Sequence, residues 1–171
     1  TYRIPPLSAQ GRVKADGQQY FADITAHEGK GMVKAKGSFH ATAMRYDADV
    51  QIRNLNVHHF MPRDSIYTVS ADITAKGQGT DFFSPRTSLV ADAKIHHIGY
   101  GKLNIDNVTA HALVGDGKAH ANLISRNLLL KGAVNFDALL STTRFDGTLS
   151  TDFQELDLYE MGVTPDPLTI G

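Results

Sequence analysis

The chain of 171 residues contains no cysteine and no tryptophan. The first absence removes disulfide staples and thiol chemistry, and leaves both a reducing compartment and a bridge-free envelope setting open. There is no excess of one charge either: 17 basic and 18 acidic residues give a formal net charge of -1 and are mixed along the sequence. A chain balanced in this way has no electrostatic footprint for nucleic acid or for an anionic membrane surface. No apolar run approaches the roughly 20 residues of a spanning helix. The opening TYRIPPLSAQ lacks the charged-then-apolar order of a signal peptide. The expectation is an internal piece of a longer protein, with any anchor outside it. Helical periodicity is missing as well, since between residues 7 and 160 apolar spacings of three and four occur only where an alternating series changes phase.

Alternation of apolar and polar residues is what the chain does have. In MRYDADVQIRNLNVHHF, residues 44–60, Tyr46, Ala48, Val50 and Ile52 fall on one side and Asp47, Asp49, Gln51 and Arg53 on the other. This is the period-two pattern of a strand with one dry face. At Asn54 the phase slips and Leu55 and Val57 carry the series on, so a bulge or bend is expected near Arg53-Asn54. Similar runs follow one another from Gly11 to Leu158. Turns are expected at Asp16-Gly17, at Glu28-Gly29-Lys30-Gly31, at Pro62, and at Asp116-Gly117, whose dipeptide suits a type I′ turn. Gly37 reads as a bulge or a second turn, Asn107 as another phase break, and Phe82-Phe83-Ser84-Pro85 as a loop whose rings plug one end of the sheet.

With an apolar fraction of 42% and strands recurring about every 10 to 15 residues, the chain reads as all β: a long antiparallel meander, a sandwich or a barrel. The expected organisation is a lead-in over residues 1–10, one β domain over 11–162 and a tail over 163–171. A faint repeat links Tyr46-Asp47-Ala48-Asp49-Val50 with Phe145-Asp146-Gly147-Thr148-Leu149, each followed by a Leu-polar-aliphatic tail. Such a repeat favours a quasi-repeating sheet over a closed globule.

Chemistry-bearing patterns are few. His58-His59 and His96-His97 are neighbours that a strand would point to opposite faces, and no ligand spacing accompanies them, so no metal site is expected. Glycine-rich phosphate loops, nucleophile elbows and zinc-helix motifs are lacking, and Asp47, Asp49 and Asp72 alternate as solvated residues do. No enzymatic activity and no cofactor are expected.

The runs YDADVQIRNLNV, IYTVSADITAKGQGTDF, YGKLNIDNVTAHALVGDGKAHANLISRNLLLKGAV and FDGTLSTDFQELDLYEMG resemble the repeated β segments of the AsmA-like superfamily, in particular the TamB family of inner-membrane-anchored translocation and assembly proteins. The resemblance is one of pattern, covers residues 10 to 162, and has no catalytic motif to anchor it. It implies a mostly antiparallel meander rolled into an open U-shaped groove, the β-taco, with an apolar interior. It also implies a place in the periplasm of a diderm bacterium, phospholipid acyl chains as ligands, and, in the whole protein, an inner-membrane anchor and an outer-membrane barrel partner. The residues expected to line that groove are Val50, Ile52, Leu55, Val57, Val69, Ile73, Leu89, Ile95, Leu103, Ile105, Val108, Val114, Leu123, Leu128, Leu130, Val134, Phe136, Phe145, Leu149 and Phe153. Two other readings stand beside it: a β module that docks another β protein by strand addition, and a filled sandwich binding carbohydrate or peptide.

Overall fold

The computed structural model describes residues 6–63, 65–141, 146–157 and 159–160. Ten strands follow one another: β1 (Leu7–Asp16), β2 (Gln19–Glu28), β3 (Gly31–His40), β4 (Arg45–Asn56), β5 (Ile66–Gln78), β6 (Ser88–Tyr100), β7 (Leu103–Gly115), β8 (Lys118–Arg126), β9 (Leu130–Leu139) and β10 (Asp146–Leu156). Each pairs antiparallel with the next, so that spatial order equals chain order in one ten-stranded sheet. Its outer strands, β1 and β10, do not pair with each other, and the sheet is not closed into a barrel. Only one other regular element occurs among the described residues, the short 3-10 turn Val57–His59. No described helix is long and apolar enough to cross a membrane.

The reversals follow the local chemistry. Gly17 and Gly29 take the positive φ that their turns require. At the β7–β8 hairpin both central residues do so, Asp116 at φ 52° and Gly117 at φ 69°, which is the signature of a type I′ turn. The expected bulge is also present: Ile52 pairs with Ala71 and Leu55 with Val69, so β4 carries one more residue than β5 between these pairs. Asn54 absorbs it at φ 49°. Asn107, the second expected break, sits at φ 56°. There β6 and β7 each add one residue, and their mutual register runs on unchanged past His96 and Asn107. A further shift lies at Phe153/Glu155 in β10. These irregularities all fall at the same end of the sheet, where each extra residue bends its strand and increases the local twist.

Several local expectations are corrected. β1 begins at Leu7, inside the supposed lead-in. The alternating run at 44–60 yields a shorter strand: Met44 turns at φ 48°, and Val57 leaves the ladder for the 3-10 turn. Gly37 is neither bulge nor turn, because β3 runs straight through it in unbroken register with β2 and β4. Phe82 and Phe83 do not plug the sheet and are exposed, since their loop closes on itself instead. Its backbone and Thr87 hydroxyl bond to Asp81 and Ser84, and it is Thr87 that becomes buried. Phe145 and residues 163–171 lie outside the described residues.

Candidate functional site

Directly paired residues of an antiparallel ladder project to the same face, so the register assigns every strand residue to a side of the sheet. On one side, Gly11, Ile24, Ala35, Val50, Ile73, Ala93, Ala110, Leu123, Val134 and Thr151 form a row crossing all ten strands. The neighbouring row runs Ala9, Ala26, Val33, Ile52, Ala71, Ile95, Val108, Ser125, Gly132 and Phe153. Beyond the bulge Leu55, Val69, Ile98 and Ile105 continue the same side, as do Leu103 against Tyr100 and Leu130 against Leu156. Leu89 pairs with Val114, and Phe136 with Leu149. Seventeen of the twenty expected lining residues therefore share one apolar face. Val57 sits in the 3-10 turn, Leu128 projects from the β8–β9 turn at 83% exposure, and Phe145 is not described.

Between the row that contains Val50 and the row Tyr20, Phe39, Tyr46, Gly77, Leu89 and Val114 lies a band of small residues. Ala22, Gly37, Ala48, Ala75, Ala91, Ala112 and Ala121 occupy it on seven successive strands, from Val13 at one margin to Phe136 and Leu149 at the other. At the usual strand spacing it extends for about 30 Å across the sheet. Its β6–β8 part belongs to a depression of about 250 Å³ floored by Ala91, Ala93, Ala110, Ala112 and Ala121 and flanked by Ile73, Leu123, Val134 and Phe136. The large residues were readable from the sequence, whereas this band was not. Its signal is one alanine or glycine near the middle of each strand, and only the register aligns them.

Little protein covers this face. Among the described residues the buried hydrophobic side chains are Ala71, Val108 and Ala138, none of them large. The chain exposes 11776 Å², against about 8,200 Å² for a compact folded chain of this mass. A sandwich core needs bulky side chains from two facing sheets, and here there is one sheet.

The opposite face is mostly polar and internally paired, with Phe21, Val90, Leu113, Ile124 and Leu139 as the large apolar residues among its polar ones. His111 bonds Asp92 at 2.7 Å and His120 bonds Asp137 at 2.8 Å, each across a direct register pair. Lys36 meets Asp23 and Ser38 meets Asp47 in the same manner. Asp72 takes His96 at 2.7 Å and Arg53 at 2.6 Å. These two hydrogen bonds, His96 first, hold its carboxyl below the ordinary value. A depression of about 810 Å³ on this side, over β1–β5, is lined by Arg12, Lys14, Asp23, Lys36, Asp47 and Lys76 among others. Oppositely charged neighbours offset one another there. The histidine pairs do not converge: His58 stacks on Tyr67 while His59 bonds the buried Glu28, and His96 bonds Asp72 while His97 bonds Thr68. Among the described residues no group of three or more potential ligands could hold a metal ion.

Comparison with known proteins finds no matching family model, no matching curated protein and no matching solved structure. Function is therefore argued from the two faces of the sheet.

Proposed function

We propose that this chain is a lipid-binding segment of an AsmA-like envelope protein of the TamB type, in which the sheet curls into an open groove around acyl chains. One observation carries the proposal: the register sets most of the large apolar strand residues, drawn from all ten strands, on one face, and few of the described ones are fully buried by protein. An apolar surface of this extent is a liability in water and marks a binding site. The band of small residues suits a flexible hydrocarbon chain. Its length of about 30 Å is roughly that of two acyl chains end to end, the thickness of a bilayer core.

The energetics are adequate. Each methylene removed from water contributes about 0.8 kcal/mol, so a chain of roughly 16 carbons gains on the order of 10 kcal/mol. The described apolar face offers side chains without fixed polar groups over most of its rows, so a tail is held without being locked and can slide. In this reading the chain works in the periplasm of a diderm bacterium, as part of a conduit for phospholipid between membranes or of outer-membrane assembly.

Native mass spectrometry of the purified protein, with extraction and identification of small molecules, tests this. The parent should carry phospholipid, and a folded Ile52→Asp/Ile105→Asp variant should not, because both side chains stand on the apolar face. A lipid-free parent that also takes up no added phosphatidylethanolamine would refute the proposal.

A further inference from the structure

The loop between β5 and β6, residues 79–87, puts two large rings into solvent and holds them there. Phe82 is 44% exposed and Phe83 51%. The loop is closed by its own hydrogen bonds: the Asp81 carboxylate accepts from the Phe83 N–H, and the Asp81 carbonyl oxygen accepts from the Ser84 N–H and the Thr87 hydroxyl. The Thr87 N–H in turn donates to the Ser84 carbonyl oxygen. At the base of the loop the Gly79 N–H donates to the Met44 carbonyl oxygen at 2.9 Å, which ties it to the β3–β4 reversal, where Met44 is exposed as well. Thr87 fills the inside of the loop, so its packing makes no use of the two phenylalanines.

Cations flank the rings. Arg45 follows Met44 and pairs in register with Gln78, Lys76 lies near the end of β5, and Arg86 follows Phe83 within the loop. All three are exposed and make no ion pair among the described residues. The carboxylates of the same segments are engaged, Asp47 by the Ser38 hydroxyl and Asp81 by the Phe83 N–H. Charge balances over the whole chain, but this stretch of the rim is apolar at its tip and positive beside it.

We infer that the loop docks on the surface of a phospholipid bilayer, with Phe82 and Phe83 entering the boundary between headgroups and acyl chains and Arg45, Lys76 and Arg86 facing anionic headgroups. Apolar rings backed by Arg and Lys are the composition of interfacial anchors. Area favours a bilayer over a protein: a stable protein contact takes about 800 Å² from each partner, more than the tip of such a loop presents, whereas a bilayer can take up two rings alone. Position supports the same occupant. β5 and β6 are the middle strands of the sheet, with four strands on either side, so strands that a longer chain adds at either edge leave the loop uncovered. The contact does not depend on acyl-chain binding by the sheet, since it uses the loop and not the apolar face.

Sedimentation with vesicles tests this. The parent should bind vesicles of phosphatidylethanolamine and phosphatidylglycerol, and bind phosphatidylcholine vesicles more weakly. Phe82→Ser/Phe83→Ser removes only exposed side chains and should leave the melting temperature unchanged, yet lower the partition coefficient about tenfold or more, the worth of burying one ring. Arg45→Gln/Arg86→Gln should reduce binding on the anionic vesicles to its level on phosphatidylcholine. Phe83→Trp supplies a single indole, because the chain has no tryptophan, and its emission should shift to the blue on the anionic vesicles. Ile52→Asp/Ile105→Asp, which disrupts the apolar face, should sediment as the parent does. Binding that survives the loss of both rings, an indole at 83 whose emission does not move, or a parent that stays in the supernatant each overturns the inference. Loss of binding in the Ile52→Asp/Ile105→Asp variant alone would move the contact to the apolar face and overturn it too. So would a lipid-free dimer of the parent that disappears with the two rings, since the occupant would then be a second copy.

Discussion

Tyr46 on β4 lies over Gly77, its direct partner on β5, so closely that a Cβ added at Gly77 would stand 2.6 Å from the ring carbon Cζ. The Ser88 carbonyl oxygen crowds the same point at 2.5 Å. The glycine is thus a seat for the aromatic ring at the margin of the small-residue band. Gly77→Ala should destabilise the protein by about 1–3 kcal/mol, the usual result of overfilling a packed site. Urea denaturation measures this, and the loss should shrink when Tyr46→Ala is already present, because one of the two obstructing groups has gone.

The bulge in β4 supplies a second prediction. Asn54 holds a positive φ, its N–H donates to the Ser70 hydroxyl at 2.9 Å, and Ser70 is buried. Arg53 stitches the two strands by donating to the Ile52 and Ala71 carbonyl oxygens. A β-branched residue fits the left-handed region poorly, so Asn54→Val should destabilise by about 1–3 kcal/mol. Asn54→Gly should be close to neutral. Ser70→Ala leaves the Asn54 N–H without its acceptor and should lower stability by about 1–3 kcal/mol. Unfolding midpoints of the three variants at neutral pH give the order.

These two sites also show how far the sequence could be read. The alternation from Tyr46 to Ile52, its slip at Asn54 and the Asp116-Gly117 turn are local events, and local residues predicted them correctly. Gly37 misled because a glycine in a strand signals irregularity only when nothing packs over the ladder beside it. Here the Asp47 carbonyl oxygen would meet an added Cβ at 2.7 Å, so close backbone approach accounts for the glycine. Phe82 and Phe83 misled because large rings suggest a plug, whereas hydrogen bonds to Asp81 and Ser84 shape that loop around Thr87. The band from Ala22 to Ala121 was invisible because it depends on six registers at once. No single strand contains it.

Asp72 links stability to pH. Its carboxyl accepts from His96 and Arg53, and its pKa lies below the ordinary 3.8. A carboxylate with a lowered folded-state pKa adds stability that is present above the unfolded value and is lost as pH falls through the folded one. Parent and Asp72→Asn should therefore differ in urea midpoint from pH 5 upward. The difference should fade below about pH 4 as the carboxylate of the parent takes up its proton. A difference that stays constant down to pH 2 would show that the Arg53–Asp72–His96 cluster contributes nothing through charge.

The most direct measurement of the central claim uses the absence of tryptophan. Leu123 and Leu113 are leucines of comparable exposure on adjacent strands, Leu123 on the apolar face and Leu113 on the polar one. Leu123→Trp and Leu113→Trp each place a single fluorophore on one side of the sheet, and brominated phosphatidylcholine quenches indole only on contact. The account predicts strong quenching at 123 and little at 113. Equal quenching at both positions, quenching at 113 alone, or none at either would contradict a lipid-binding apolar face.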